Sequence, residues 1–163
     1  MATPVRRIVN ASPLILLAKV GQLDLLRAGV PEIIVPDAVL REVGGRGAAD
    51  PVFQEILQAA WLKIVPTLPT PPQVRVWNLG AGESSVLALA LTDRDCQAIL
   101  DDRDARRCAQ TLKIGVRGTL GLVVLAKQIG FIPSARPVVD QLRRSGLYLT
   151  DDVTNQTLAL VGE

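Results

Sequence analysis

The sequence predicts an α/β protein built on a mainly parallel central sheet. Short apolar runs ending at turn residues alternate with longer stretches of helical spacing, and the connections between them are short. Composition agrees: 48% of residues are hydrophobic but only 3% are aromatic. The core must therefore be built from Val, Ile, Leu and Ala, as in strands covered on both faces. A chain of 163 residues has the length of about one domain, so a single domain over 1–163 is expected.

The first strand is expected at 7–10, RIVN, with Asn10 at its end. Ser12 reads as a helix N-cap and Pro13 as the first helical residue, for a helix running to about Val20. A second short helix over 23–28 stops at Gly29. EIIV at 32–35 is the next strand, and Pro36-Asp37 turns the chain into a helix that ends at Gly44-Gly45. Within it Ala38, Val39 and Val43 can face inward, and Glu42 lies on or beside that face. A carboxylate facing inward needs a partner or a metal. At the edge of the stripe it would be exposed and paired to Arg46.

A loop over 44–50, a helix over 52–60 and a short strand at 62–65 follow. PTLPTPP at 66–72 is linker-like, but too short to separate two domains. Gly80 and Gly82 then introduce a mostly buried helix with an early Glu83. The apolar run 96–100 is a buried strand that ends on Asp101 and Asp102. Parallel strands gather their C-terminal ends along one edge, where ligands bind, and the aspartate pair falls on that edge. The same residues can instead cap the next helix, with Glu83 complementing a helix N-terminus. A helix over 104–112 places Arg103 and Arg106 near the carboxylates and Arg107 on a solvated face. A strand at 114–116 is followed by helices from Gly118 to about Ile129, over 133–145, and from Thr150 through Leu160.

The chain contains no histidine, which excludes Ser-His-Asp triads, Cys-His dyads and histidine-ligated zinc. Cys96 and Cys108 have neither metal spacing nor the look of a disulfide framework, so a reducing cytosol is the expected compartment. Asn10, Ser12 and Pro13 interrupt the N-terminal apolar run and Lys19 ends it, against a targeting signal. No uncharged apolar stretch approaches the ~18 residues of a membrane helix. A net charge of +2 demands no nucleic acid, although Arg, suited to bidentate phosphate contacts, far outnumbers Lys.

Catalysis, if present, must then come from carboxylates, with a metal, or from Lys, Ser, Thr, Tyr or Cys. Asn10, Glu42, Glu83 and the Asp101–Asp102 pair stand on a first strand end, an early helix, a middle helix and a later strand end. Hard cations such as Mg²⁺ or Mn²⁺ take oxygen ligands of this kind, often one or two carboxylates plus waters and substrate phosphate. Such an ion activates water and stabilises charge developing on a phosphodiester.

Four segments carry a resemblance to a known family: IVNASPLILLAKVGQLDLL, VPDAVLREV, LGAGESSVLALAL and AILDDRDARRCAQTLKIGVRGTLGLVVLAKQIGFI. Over Ile8 to Ile132 the chain resembles the PIN-domain nucleases, especially the PIN-like group often encoded beside an antitoxin. The resemblance implies a three-layer α/β/α fold with an acidic pocket for Mg²⁺ or Mn²⁺. It further implies a cytoplasmic endoribonuclease acting on single-stranded or structured RNA, a toxin whose partners are an antitoxin protein and a second copy in a homodimer. Asn10 stands where the family usually has its first Asp, with Ser12 supporting it. Glu42 matches the second acid, Glu83 the third, and Asp102, or Asp101 beside it, the fourth. Arg103 or Arg106 would meet substrate phosphate.

Asn10 is a departure, because an amide oxygen ligates a hard cation without bringing charge. It favours a second reading, a catalytically degenerate PIN-like fold that binds RNA or a protein partner. A third reading, a phosphotransfer domain with Asp101 or Asp102 as acceptor, lacks a lysine at a suitable strand end.

Overall fold

The computed structural model describes residues 3–163. Among them, β1 (Arg6–Val9), β2 (Glu32–Pro36), β3 (Leu62–Val65), β4 (Cys96–Ile99) and β5 (Gly115–Arg117) form one sheet. All pairings are parallel, and the order is β3-β2-β1-β4-β5. The chain thus runs outward from β1 to β3, then returns to lay β4 on the other side of β1. Strand order reverses between β1 and β4, and a ligand crevice opens at such a point outside the strands' carboxyl ends. The central strands are buried, with Ile8, Val9, Val35, Ala98 and Ile99 nearly inaccessible, as their continuous apolar runs require.

Helices cover both faces in an α/β/α arrangement. They are α1 (Ala11–Lys19), α2 (Asp37–Gly44), α3 (Pro51–Gln58), α4 (Pro72–Arg75), α5 (Ala81–Ala90), α6 (Arg103–Thr111), α7 (Thr119–Gln128), α8 (Arg136–Arg144) and α9 (Asp151–Ala159). Helix α5 lies across β1, β2 and β4 with α2 and α4 beside it. Its Val86 and Leu87 are fully buried, so Gly80 and Gly82 at its start are carried to the crevice. Helix α7 packs against α8 and against a 3-10 helix, Leu23–Arg27, that also touches β2.

Several boundaries differ from the sequence expectation for identifiable reasons. Asn10, extended at φ −83° and ψ 168°, is the N-cap of α1 in place of Ser12, and its carbonyl accepts from Leu14 N at 3.4 Å. Pro13 falls in the first turn, where its missing N–H leaves no gap. The second short helix is 3-10, closed by Leu25 N to Gln22 O at 3.0 Å and Ala28 N to Leu25 O at 3.1 Å. Flanking Gly21 and Gly29 have φ of +66° and +78°, which bound the segment on both sides. Asp102 caps α6, which draws Arg103 into the helix. Ile114 N reaches back to Ala109 O at 2.8 Å, and Lys113 has φ +59°, so β5 starts at Gly115, one residue later than expected.

The proline-rich stretch is tied down: Thr67 N donates to Asp37 Oδ1 at 3.0 Å and Thr67 Oγ1 accepts from Ala38 N at 3.0 Å. It ends in the single turn of α4. Among the described residues no helix is long and apolar enough to cross a membrane.

Candidate metal centre

The crevice is built from the residues that follow β1 and β4 and from the start of α5. Asn10 N donates to Ile99 O at 3.1 Å, which locks the end of β1 against β4 and holds the Asn10 side chain inside, 3% exposed. Its Nδ2 donates to Glu83 Oε1 at 3.2 Å. Its Oδ1 is buried without a hydrogen-bond partner among the described residues. The opposite amide orientation would set an oxygen against the Glu83 carboxylate, so this assignment is the electrostatically sound one.

Glu83 lies in the first turn of α5, where the helix dipole favours a negative charge. Glu42 comes from α2, whose inward stripe is Val39 and Val43. Glu42 itself is exposed at the edge of that stripe, with one oxygen turned in over Gly82. It is not paired to Arg46, which instead bonds Asp50 at 3.2 Å. Loss of water and the neighbouring charge of Glu83 push the Glu42 carboxyl above the usual carboxylate range.

Gly82 marks the centre of this group. A Cβ there would overlap Glu42 Oε2 and stand 2.7 Å from Asn10 Oδ1. One amide oxygen and one carboxylate oxygen therefore converge on a space that only glycine leaves open, with the Glu83 carboxylate hydrogen-bonded to the same Asn10. Ser12, exposed in the first turn of α1, lines a shallow cavity together with Glu42, Lys19 and Ser145.

Asp101 and Asp102 stand at the adjoining strand end, engaged in caps. Asp101 accepts from Thr119 N at 2.8 Å and from Thr119 Oγ1 at 2.6 Å, joining the end of β4 to the start of α7. Asp102 Oδ1 accepts from Ala105 N at 2.8 Å as the N-cap of α6. Arg103 is exposed one residue further on. Arg106 directs Nη1 to Leu100 O at 3.4 Å. The geometry thus gathers Asn10, Glu42 and Glu83 and leaves the two aspartates and two arginines beside them. Among the described residues, no three His, Cys, Asp or Glu side chains form a group that could hold a metal.

The donor set still fits a hard divalent cation. Such ions accept amide and carboxylate oxygens, and Mg²⁺ commonly keeps several waters while using one or two carboxylates. The buried Oδ1 without a donor is the kind of atom that a cation would satisfy.

Sequence reasoning passed over two charged residues of the sheet. Arg7, 1% exposed, donates to Leu26 O at 2.7 Å and Gln97 Oε1 at 3.3 Å, with no carboxylate among its partners. Burial, and then the like charge of Arg117, lower it to about 10. The signal available was the second arginine of RRIV, next to Ile8 and Val9 in a strand covered on both faces.

A family model described as PIN domain (DUF3368) matches residues 6–163. No curated protein matches the chain. PIN domains have a nuclease-type fold, generally use divalent metal ions and bind RNA. With the matched span running from the first strand through the last helix, and with the five-stranded parallel α/β/α architecture in place, the chain belongs to the PIN-domain family.

Proposed function

We propose that the protein is a metal-dependent endoribonuclease, folded as one domain over 1–163, in which Asn10, Glu42, Glu83 and Asp102 hold Mg²⁺ or Mn²⁺. The observation that carries this reading is the buried, donorless Asn10 Oδ1 facing Glu42 across Gly82 at the switch point of the sheet. When bound, such an ion neutralises phosphate charge and lowers the pKa of a water that can attack phosphorus. Asn10 orients Glu83 through Nδ2. Glu42 closes the opposite side of the pocket and can swing outward, being exposed. Asp101 orients the strand end from which Asp102 projects, through its two bonds to Thr119. Arg103 and Arg106, in the helix that Asp102 caps, would meet phosphate oxygens, together with Ser12, which lines a cavity with Glu42.

The proposed setting is cytoplasmic, with the protein acting as the toxin of a toxin–antitoxin pair and as a homodimer. Exposed Ile129, Phe131 and Leu160 supply apolar surface for such partners.

Asn10 favours one competing reading, a non-cleaving RNA- or protein-binding module, because its amide contributes no charge. Purified protein incubated with mixed RNAs, in Mn²⁺, in Mg²⁺ and in chelator, separates the two. The nuclease reading expects metal-dependent cleavage that falls at least about tenfold in Glu83→Gln and Asp102→Asn, since each removes a transition-state-stabilising charge worth at least ~1.4 kcal/mol. Asn remains a good N-cap, so Asp102→Asn keeps the fold. Equal rates in both variants and the wild type would place the activity elsewhere.

A further inference from the structure

A cavity of about 510 Å³ opens at the C-terminal end of β5 and is lined by Asp101, Arg106, Arg117, Gly118, Gly121 and Tyr148, among others. It lies on the same sheet edge as Asn10, two strands away, a distance of ~10 Å at the usual strand spacing. A volume of this size suits a single small ligand.

Its charge is unbalanced. Among the described residues neither Arg106 nor Arg117 takes part in an ion pair. Arg117 gives Nη1 to Gly121 O at 3.2 Å, and its Nε is buried with no partner. Asp101, the carboxylate on the wall, already accepts two bonds from Thr119. On β1 of the same sheet, Arg7 also has no carboxylate among its hydrogen-bond partners; burial first, and then the like charge of Arg117, lower its pKa to about 10. An anion entering here would meet two guanidiniums that have no carboxylate partner.

Two glycines keep the space open. A Cβ on Gly118 would overlap Arg106 Nη1 and stand 3.1 Å from Asp101 Oδ1, and one on Gly121 would come within 2.9 Å of Arg117 Cγ. The GTLG run therefore sets the two arginines facing one space. Over that space hangs Tyr148, 89% exposed between the half-buried Leu147 and Leu149. The loop that presents it is anchored by Leu147 N to Leu142 O at 2.9 Å and Arg143 Nη2 to Leu149 O at 3.3 Å. An exposed aromatic ring on an anchored loop, lining one cavity with two arginines that have no carboxylate partner, is a surface for a base and its phosphate.

We propose that Arg106, Arg117 and Tyr148 form a nucleotide subsite, the arginines taking a phosphate and the tyrosine ring stacking on the base. The proposal rests on the ribonuclease reading and adds the residues that position the strand. RNA is favoured over an acidic protein segment because the cavity lies at the same sheet edge as the candidate cation site. One strand can then have its phosphates neutralised at both places.

Fluorescence anisotropy with a labelled single-stranded oligoribonucleotide, in chelator, tests the subsite without cleavage and without metal. Tyr148→Ala weakens binding by about tenfold and Tyr148→Phe binds as the wild type, because stacking needs the ring and not the hydroxyl. Arg117→Gln reduces the salt dependence by ~0.7 in slope, one phosphate contact's worth. Arg106→Gln does the same and stands in if loss of the half-buried Arg117 lowers the melting temperature. Wild-type RNA affinity in Tyr148→Ala overturns the proposal. If that variant instead loses affinity for a polyglutamate peptide, the cavity belongs to a protein partner. Absence of cleavage by the wild type in Mn²⁺, alongside weakened binding by Tyr148→Ala, would remove the nuclease reading and leave the subsite standing.

Discussion

Asn10 concentrates the chemistry of the candidate site in one side chain. Its Nδ2 steadies Glu83 while its Oδ1 has no donor, so the amide both holds a carboxylate in place and offers an oxygen to a cation. Asn10→Asp should therefore act in opposite directions with and without metal. Without metal the variant loses the donor to Glu83 and sets a third carboxylate beside Glu42 and Glu83. The expected cost is about 2 kcal/mol, or roughly 4–8 °C in melting temperature. With metal, the added charge outweighs desolvation and repulsion by ~1 kcal/mol, about fivefold in affinity. Calorimetric titration and thermal melts of both proteins check the pair of effects. Equal or weaker metal binding by the variant would remove Asn10 from the site. The position of Asn10 at a strand end was legible from RIVNASP. That Ser12 yields the N-cap to Asn10 was not, because both residue types are good caps and tertiary contact with Ile99 decides between them.

At the scale of elements, the sequence pattern located all five strands, and the differences are instructive. The bounds of β5 are Gly115–Arg117 in place of 114–116. The later end places Arg117 within the strand, with the cavity at its end. Strand 114–116 would have left Arg117 in the turn, so the arginine cluster could not be foreseen. Helix α8 starts at Arg136, later than periodicity alone implied, because a distant residue fixes its beginning. Glu163 accepts from Ser134 Oγ, from Ala135 N at 2.7 Å and from Arg136 N at 3.2 Å.

Those bonds lower the Glu163 carboxyl from 4.5 to about 2, the Ser134 hydroxyl first and the Ala135 amide next. The folded pKa lies below the unfolded one, so the unfolded chain binds more protons between the two values. The stabilisation is complete above about pH 4.5 and is lost as pH falls to about 2. Melting temperatures of wild type and Glu163→Gln should differ by a constant amount at neutral pH and converge towards pH 2. A difference that persists unchanged at pH 2 would show that the charge at Glu163 plays no part.

For the whole molecule, the parallel α/β/α architecture follows from short apolar strands, crossover helices and a core poor in aromatics, and each of these is visible in the sequence. The order in which Asn10, Glu42 and Glu83 occur let their convergence be anticipated, since strand ends and helix starts share one edge in this topology. What linear order could not show was the competition for oxygens: Thr119 and the start of α6 claim Asp101 and Asp102 as caps. Nor could it show that Gly82 is the floor of the pocket. The central claim, that Asn10 and Glu42 frame a cation site around Gly82, is tested most directly by titrating Mn²⁺ into wild type and Gly82→Ala in a calorimeter. Alanine suits a helix better than glycine by ~1 kcal/mol, so the variant should fold. Its Cβ occupies the space between the two oxygens, displacing Glu42 outward or Asn10 inward. The wild type should bind Mn²⁺ and the variant should lose at least about tenfold in affinity, ~1.4 kcal/mol. Equal affinity in the two proteins would contradict the account, because no ion could then lie where these oxygens meet.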